Sequence, residues 1–184
     1  MLFTSLTDVK LFLEKVDTSH DDLLNLIILN VSARIEKYLN RLFEKVERTQ
    51  YFNAGRNYYY LPAYPIDLTA ALTVTDSDVV QTVNSDYYVW DDIGMIEFYN
   101  APAFNTPRQI KIIWTGGYAS YDLLPQELQY ATILQSAFIF RRRKDIGLNS
   151  VSMPDGSISV NAPTDLLPEV RQVLQSLRKA GSVR

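Results

Sequence analysis

Apolar residues keep a helical rhythm at both ends of this chain and an alternating rhythm in the middle. In LTDVKLFLEKV, residues Val9, Phe12, Leu13 and Val16 fall at the i, i+3, i+4, i+7 spacing of one buried helix face. Thr7 is the expected N-cap, with Asp8 in the first turn, where a carboxylate complements the helix dipole. A second start follows at TSHDD, where Ser19 is the expected cap and Asp21 and Asp22 suit the amino end. From there Leu24, Ile27, Ile28, Val31, Ile35, Tyr38, Leu39 and Leu42 predict a helix to about Phe43. No charge falls between Leu23 and Ala33. A helix apolar nearly all round belongs in the centre of a core or at a subunit contact.

Between about residues 46 and 115 the period shortens to two. VERTQYF, NYYYL, LTAALTV, DYYVW, GMIEFY and QIKIIWT are short, rich in aromatic and β-branched residues, and separated by turn formers. WDDIGMIEFY reads as a tight hairpin turning at Asp91 to Gly94. AYPI and APAFNTP are proline-marked connections, which belong at edges or in loops. The connections are too short for crossover helices, so the pairing is predicted antiparallel.

Helical spacing returns after TGGY, where Gly116 and Gly117 let the chain leave the last strand and turn. The segment DLLP occurs twice, ending at Pro125 and at Pro168. A proline suits the first helical turn because its φ is already fixed and its missing N–H would have been unpaired there. It also pushes the preceding Leu124 or Leu167 to an extended conformation, and Asp122 and Asp165 add charge near the positive end of the dipole. The repeat is therefore a helix-starting device used twice. One helix is predicted from Pro125 to about Asp145, stopped by Gly147. The final helix carries Val170, Val173, Leu174 and Leu177 on one face. Between them, SVSMPDGSISVN reads as a small hairpin or extended arm, with Val151, Met153, Ile158 and Val160 alternating around a Pro-Asp-Gly turn.

The predicted class is α+β: a helical bundle from the N- and C-terminal helices with an inserted small antiparallel β-sheet. A single domain over 1–184 is expected, helical over 1–45, strand over 46–115, and helical over 116–184 with an arm at about 150–161.

Composition narrows the chemistry. The 184 residues carry a net charge of −3, so no overall positive field advertises nucleic-acid binding. There is no cysteine, which removes disulfides and thiolates. The opening MLFTSLTDVKLFLEKVD lacks the features of a signal peptide, and the longest uncharged stretches are too short to span a bilayer, so a soluble cytosolic product is expected. The single histidine, His20, sits in a helix-start signal, and neighbouring side chains in SHDD cannot line up as nucleophile, base and orienter. The acid pairs Asp21–Asp22 and Asp91–Asp92 lack the spacing of a cation-binding loop, and TGGY lacks the glycine spacing and lysine of a phosphate loop. No catalytic residue, metal site or cofactor is expected.

What remains points to contacts. RRRKD, from Arg141 to Lys144, places cations at a helix end, where the dipole favours them. Such a cluster is either a solvated end or a salt-bridging or phosphate-facing patch. Twelve tyrosines, including Tyr58, Tyr59, Tyr60, Tyr87 and Tyr88, suit alternating burial in a sheet plus some subunit contact. From Leu128 to Phe140 the helix has no charge. Gln129, Thr132, Gln135 and Ser136 form a polar band between one apolar face (Leu128, Ala131, Leu134, Phe138) and another (Tyr130, Ile133, Ala137, Phe140). Two apolar faces suit an oligomer in which one serves the core and the other a neighbour.

The order of these signals resembles the head-to-tail connector, or adaptor, proteins of tailed bacteriophages and of phage-like gene transfer particles. The resemblance rests on Thr115-Gly116-Gly117-Tyr118 with Pro125 and Leu128, on Arg141, Arg142, Arg143 and Asp145 with Gly147, and on Leu167-Pro168-Glu169-Val170. It covers nearly the whole chain, and the large strand insert departs from shorter members. It implies a structural, non-enzymatic virion protein at the head–tail junction, present in the host cytoplasm during assembly. Such proteins form a ring of about a dozen copies beneath the portal. The implied partners are the chain itself, the portal protein, a stopper or tail-completion protein, and double-stranded DNA that passes without sequence-specific binding; no membrane is implied. A mildly acidic chain fits a channel that must not grip phosphates. The expected subunit or portal interface comprises Tyr130, Ile133, Phe140, Arg141, Arg142, Arg143, Lys144, Met153, Ile158, Val160, Arg178 and Lys179. The alternatives are a tail-completion or other ring-forming phage part, a nucleic-acid-binding module using Arg141 to Lys144 and the tyrosines, and a small enzyme sited on the strand insert.

Overall fold

The structure is a computed structural model that describes residues 1–15, 17–143, 150–153, 156–159 and 166–177, with backbone only at 150–153 and 156–159. It is α+β, and the chain divides into two compact units, 1–39 with 121–184 and 40–120.

The first unit is helical. Helix α1 (Leu6–Phe12) starts at Ser5 rather than Thr7, because Ser5 and Asp8 form a reciprocal capping box. The Asp8 N–H donates to Ser5 Oγ at 3.1 Å, and Ser5 N–H and Oγ–H both donate to the Asp8 carboxylate. Thr7 lies inside the first turn and cannot play that part. Helix α2 (Asp21–Leu39) likewise lacks the expected Ser19 cap. Ser19 turns back to donate its N–H and hydroxyl to Asp17, which holds the Asp17 carboxyl below its ordinary range. Asp21 is tied instead to Lys10 of α1 at 2.7 Å. The helix stops at Leu39, short of Phe43, because Asn40 takes a left-handed conformation at φ 50, as asparagine can at a helix end.

After a one-turn 3₁₀ helix (Tyr121–Leu123), helix α3 (Gln126–Arg142) begins behind Pro125, and α4 begins at Pro168 and runs to Leu177. Both DLLP segments thus start helices. Pro125 has ψ 134 and acts as the N-cap residue of α3, while Leu124 before it is buried. Helix α3 packs against α1, α2 and α4, which explains a departure from the expected pattern. Three of the four residues of its polar band are buried: Thr132, Gln135 and Ser136 have no exposure, while Gln129, Ile133, Leu134 and Phe138 are only half-buried. Thr132 satisfies its hydroxyl on the Leu128 carbonyl at 2.8 Å. Gln135 Oε1 accepts the Leu167 N–H at 2.9 Å, pinning the approach to α4. Ser32 of α2 works the same way, donating to Ile28 and accepting from the Phe3 N–H. Small polar side chains that close on backbone permit tight helix approach, as Thr132, Gln135 and Ser32 do, whereas the buried Ser136 Oγ makes no hydrogen bond. Strands β8 (Ser150–Met153) and β9 (Gly156–Ser159) pair antiparallel, with Val151 opposite Ile158.

The second unit holds the strands β1 (Val46–Phe52), β2 (Tyr58–Tyr60), β3 (Thr73–Asp76), β4 (Val79–Val80), β5 (Tyr87–Trp90), β6 (Met95–Phe98) and β7 (Ile110–Gly116). They form two antiparallel sheets, ordered β1-β7-β3-β4 and β2-β6-β5. Strand β4 was not anticipated; two residues leave no period to read. The expected hairpin joins β5 to β6 and turns at Asp91 to Gly94, with Gly94 at φ 63. One core serves both sheets: Ile110, Ile112, Trp114 and Val74 from the first, and Tyr59, Tyr87, Val89, Ile96 and Phe98 from the second. At the end of β7, Gly117 has φ 108, and a Cβ there would lie 2.5 Å from the Phe43 carbonyl oxygen. The glycine pair does more than release the chain from the sheet. It lets the strand end lie directly on the 43–44 backbone.

Candidate assembly surfaces

Among the described residues no three His, Cys, Asp or Glu side chains converge as a metal site, and no helix is long and apolar enough to cross a membrane. The informative features are surfaces. Three stand out.

On α2 the buried side carries Leu24, Ile27, Ile28, Val31 and Ile35, and the opposite side leaves Leu23, Leu26 and Leu29 exposed. Asn30, within this stripe, donates its side-chain amide to the Leu26 carbonyl at 2.8 Å. The Asn30 amide is thereby partly satisfied by its own helix, which lowers the cost of covering the stripe.

The second surface surrounds α3. Tyr130 is 54% exposed, and its ring meets Phe12 of α1 edge-on at 6.5 Å between centroids. Ile133 is half-buried. Phe140, expected at a neighbour, is instead 2% exposed, because His20 packs on its ring at 5.4 Å and the Arg143 guanidinium covers it at 3.9 Å. His20 thus helps close the helical core. Arg143 also donates to the Phe140 carbonyl at 2.6 Å, acting as a C-terminal cap. Arg142 lies 5.4 Å over Phe138, and Arg141 is exposed. The arginine run therefore divides: one member caps the helix, one covers a ring, one faces solvent. Lys144, Val160, Arg178 and Lys179 lie outside the described residues, as do the side chains of Met153 and Ile158.

The third surface is the outward face of the β2-β6-β5 sheet. Period-two alternation sends Tyr59, Tyr87, Val89, Ile96 and Phe98 inward. The register then aligns Tyr58, Glu97 and Tyr88 in one cross-strand row and Tyr60, Met95 and Trp90 in the next. Tyr58 and Tyr60 lie 5.8 Å apart between ring centroids, Tyr88 and Trp90 5.3 Å, and all four are more than 40% exposed. The Trp90 indole N–H donates to Glu97 at 2.8 Å, which fixes the carboxylate among the rings. The sequence signal for this platform was present in YYY and YYVW. It needed the pairing register to become one surface.

Arg41 gave no sequence signal. It is 9% exposed, donates to the Tyr64 carbonyl at 2.7 Å, and lies 3.4 Å from the centroid of the Tyr64 ring and 4.5 Å from that of Phe43. Burial pushes the Tyr64 hydroxyl's pKa up, against the opposing pull of the Arg41 charge. This arrangement binds the 41–43 segment to the 62–65 loop, where Leu42 N–H also donates to Pro62.

The chain is a helical unit with an inserted pair of sheets, and large apolar side chains are exposed on both. Residues 2–180 match the model of the head completion protein family, and the chain belongs to that family. It is a structural protein of the head–tail junction of phage-like particles. No curated protein matches the chain. Among solved structures it is similar to a chain in the neck of an empty gene transfer agent particle with C6 symmetry, at 21% identity and TM-score 0.63. It is also similar to a chain in the virion of a native gene transfer agent particle, at 19% and 0.59, and to one in the neck of the native particle with C12 symmetry, at 21% and 0.56. Each likeness covers 97% of this chain and 90% of the other. At these identities the likeness establishes the shared fold.

Proposed function

We propose that the protein forms a ring of about twelve copies beneath the portal, joining head to tail and extending the DNA channel. The observation that carries this reading is the family match over residues 2–180, together with the fold shared along 97% of the chain with a component of a neck of C12 symmetry. The surfaces support it. A cyclic ring needs two different patches on each copy, and the Leu23–Leu26–Leu29 stripe, the Tyr130–Phe12 pair and the aromatic sheet face supply apolar area in more than one place. The absence of an overall positive charge also suits a channel through which duplex DNA slides. The arm at 150–159, the basic residues Arg141 to Lys144, and Arg178 and Lys179 are proposed to reach the portal or a neighbour.

The test is to mix purified protein with the portal ring from the same genome and image the mixture by negative-stain electron microscopy. A second ring stacked coaxially on the portal, with its copies countable, is the expected result. Bare portals at micromolar protein would refute portal docking and favour tail completion, the second reading.

A further inference from the structure

We infer that the aromatic face of the β2-β6-β5 sheet is one half of the contact between neighbouring copies, and that it receives the arginine-bearing end of α3 from the next copy. The inference rests on the ring reading above and adds which two surfaces meet.

Charge is distributed along the chain in a way that composition alone hides. Between Arg56 and Arg108 there is no lysine or arginine, while there are seven acids: Asp67, Asp76, Asp78, Asp86, Asp91, Asp92 and Glu97. All three strands of the aromatic sheet lie within that interval. Glu97 stands in the middle strand between Tyr58 and Tyr88, and Asp91 and Asp92 form the turn next to Trp90. The platform is thus aromatic rings with carboxylates and no cation of its own strands. Rings beside a carboxylate match a guanidinium, which stacks its plane on an aromatic face while donating in-plane to the acid.

Arg41 and Arg143 show the ring-stacking half of this preference inside this chain, each placed over a ring at 3.4–3.9 Å from its centroid while donating to a backbone carbonyl. The densest cationic segment is Arg141 to Lys144, and Arg141 is exposed. Duplex DNA would be repelled by the platform, since its phosphates would face Glu97, Asp91 and Asp92. Because the two surfaces differ, repeating the contact head-to-tail generates a ring instead of a closed pair.

The chain contains no cysteine, so introduced pairs report contacts without background. The double variant Tyr88→Cys/Arg141→Cys, assembled on portal and treated with oxidised glutathione, is expected to give a ladder of disulfide-linked species up to ring size on a non-reducing gel. A mixture of the two single variants is expected to stop at dimers. Three outcomes overturn the contact while leaving the ring: rings on the portal with only monomer bands, an intrachain disulfide, or dimers from Tyr88→Cys alone. Bare portals with the cysteine-free parent would instead overturn the portal-docked ring, and the contact proposed within it. Quenching of Trp90 by a single-stranded oligonucleotide, with no ladder, would assign the platform to nucleic acid and also overturn the inference.

Discussion

Replacing Gln135 with leucine isolates the link between α3 and α4. Gln135 is fully buried, and its Oε1 accepts the Leu167 N–H at 2.9 Å, one residue before α4 begins. Leucine nearly fills the same volume but cannot accept a hydrogen bond. The cost includes the stranded Leu167 donor, about 1–3 kcal/mol for a buried amide left unpaired. Leu167 is half-buried, so water reaches it in part and the lower half of that range applies. Burying leucine's apolar surface offsets some of the remainder. A net loss of about 1 kcal/mol is expected, which lowers Tm by about 2–4 °C for a protein of this size. Two compact units need not unfold together, so the decisive assay is amide hydrogen exchange. Exchange should quicken about five-fold for the amides of α4, Val170 to Leu177, while the strands of the second unit stay unchanged. Unaltered protection in α4 at unaltered Tm would refute the claim that Gln135 holds the entrance to that helix.

Two other substitutions probe the β unit. Gly117→Ala combines a φ of 108 with a Cβ placed 2.5 Å from the Phe43 carbonyl oxygen and 2.8 Å from the Glu44 carbonyl carbon. Strain of about 1–3 kcal/mol from the backbone, plus a similar cost from overpacking, should lower the urea midpoint substantially or prevent soluble expression; a wild-type midpoint would contradict the close approach. Asp67 receives Lys45 at 2.8 Å and both the N–H and hydroxyl of Thr69, which lower its pKa from 3.8 to about 2. A depressed folded-state pKa contributes stability that is present above pH 3.8 and is lost as pH falls through about 2. Asp67→Asn should therefore flatten the stability profile in that window without changing its shape above pH 5, and a carboxyl titration of Asp67 near its ordinary value would refute the assignment.

The DLLP segments, the Asp91–Gly94 turn and the strand spans of β1 and β7 follow from rules acting within a single turn or strand. Proline fixes its own φ, and period-two alternation marks a half-buried strand, wherever either stands. The caps were less legible because several residues compete. Ser5 wins over Thr7 only because Asp8 returns the bond, and Ser19 is drawn away by Asp17. The two-faced α3 was harder still. Its uncharged polar residues look like a boundary strip in one dimension, yet three surrounding helices close over Thr132, Gln135 and Ser136.

The sequence by itself determined the class of this protein: helices at both ends, antiparallel strands between them, and an order of signals shared with connector proteins. Tertiary structure alone decided which leucines of α2 face outward, that Phe140 lies inside while Tyr130 does not, and that Arg41 is enclosed by rings from residues 43, 64 and 118. It also decided that Tyr58, Tyr60, Tyr88 and Trp90 share one surface. The physical reason is range. Propensity, capping and turn chemistry act over a few residues, whereas burial and strand register join positions thirty or more apart, and a surface fit for a neighbour exists only once those distant pairings are made.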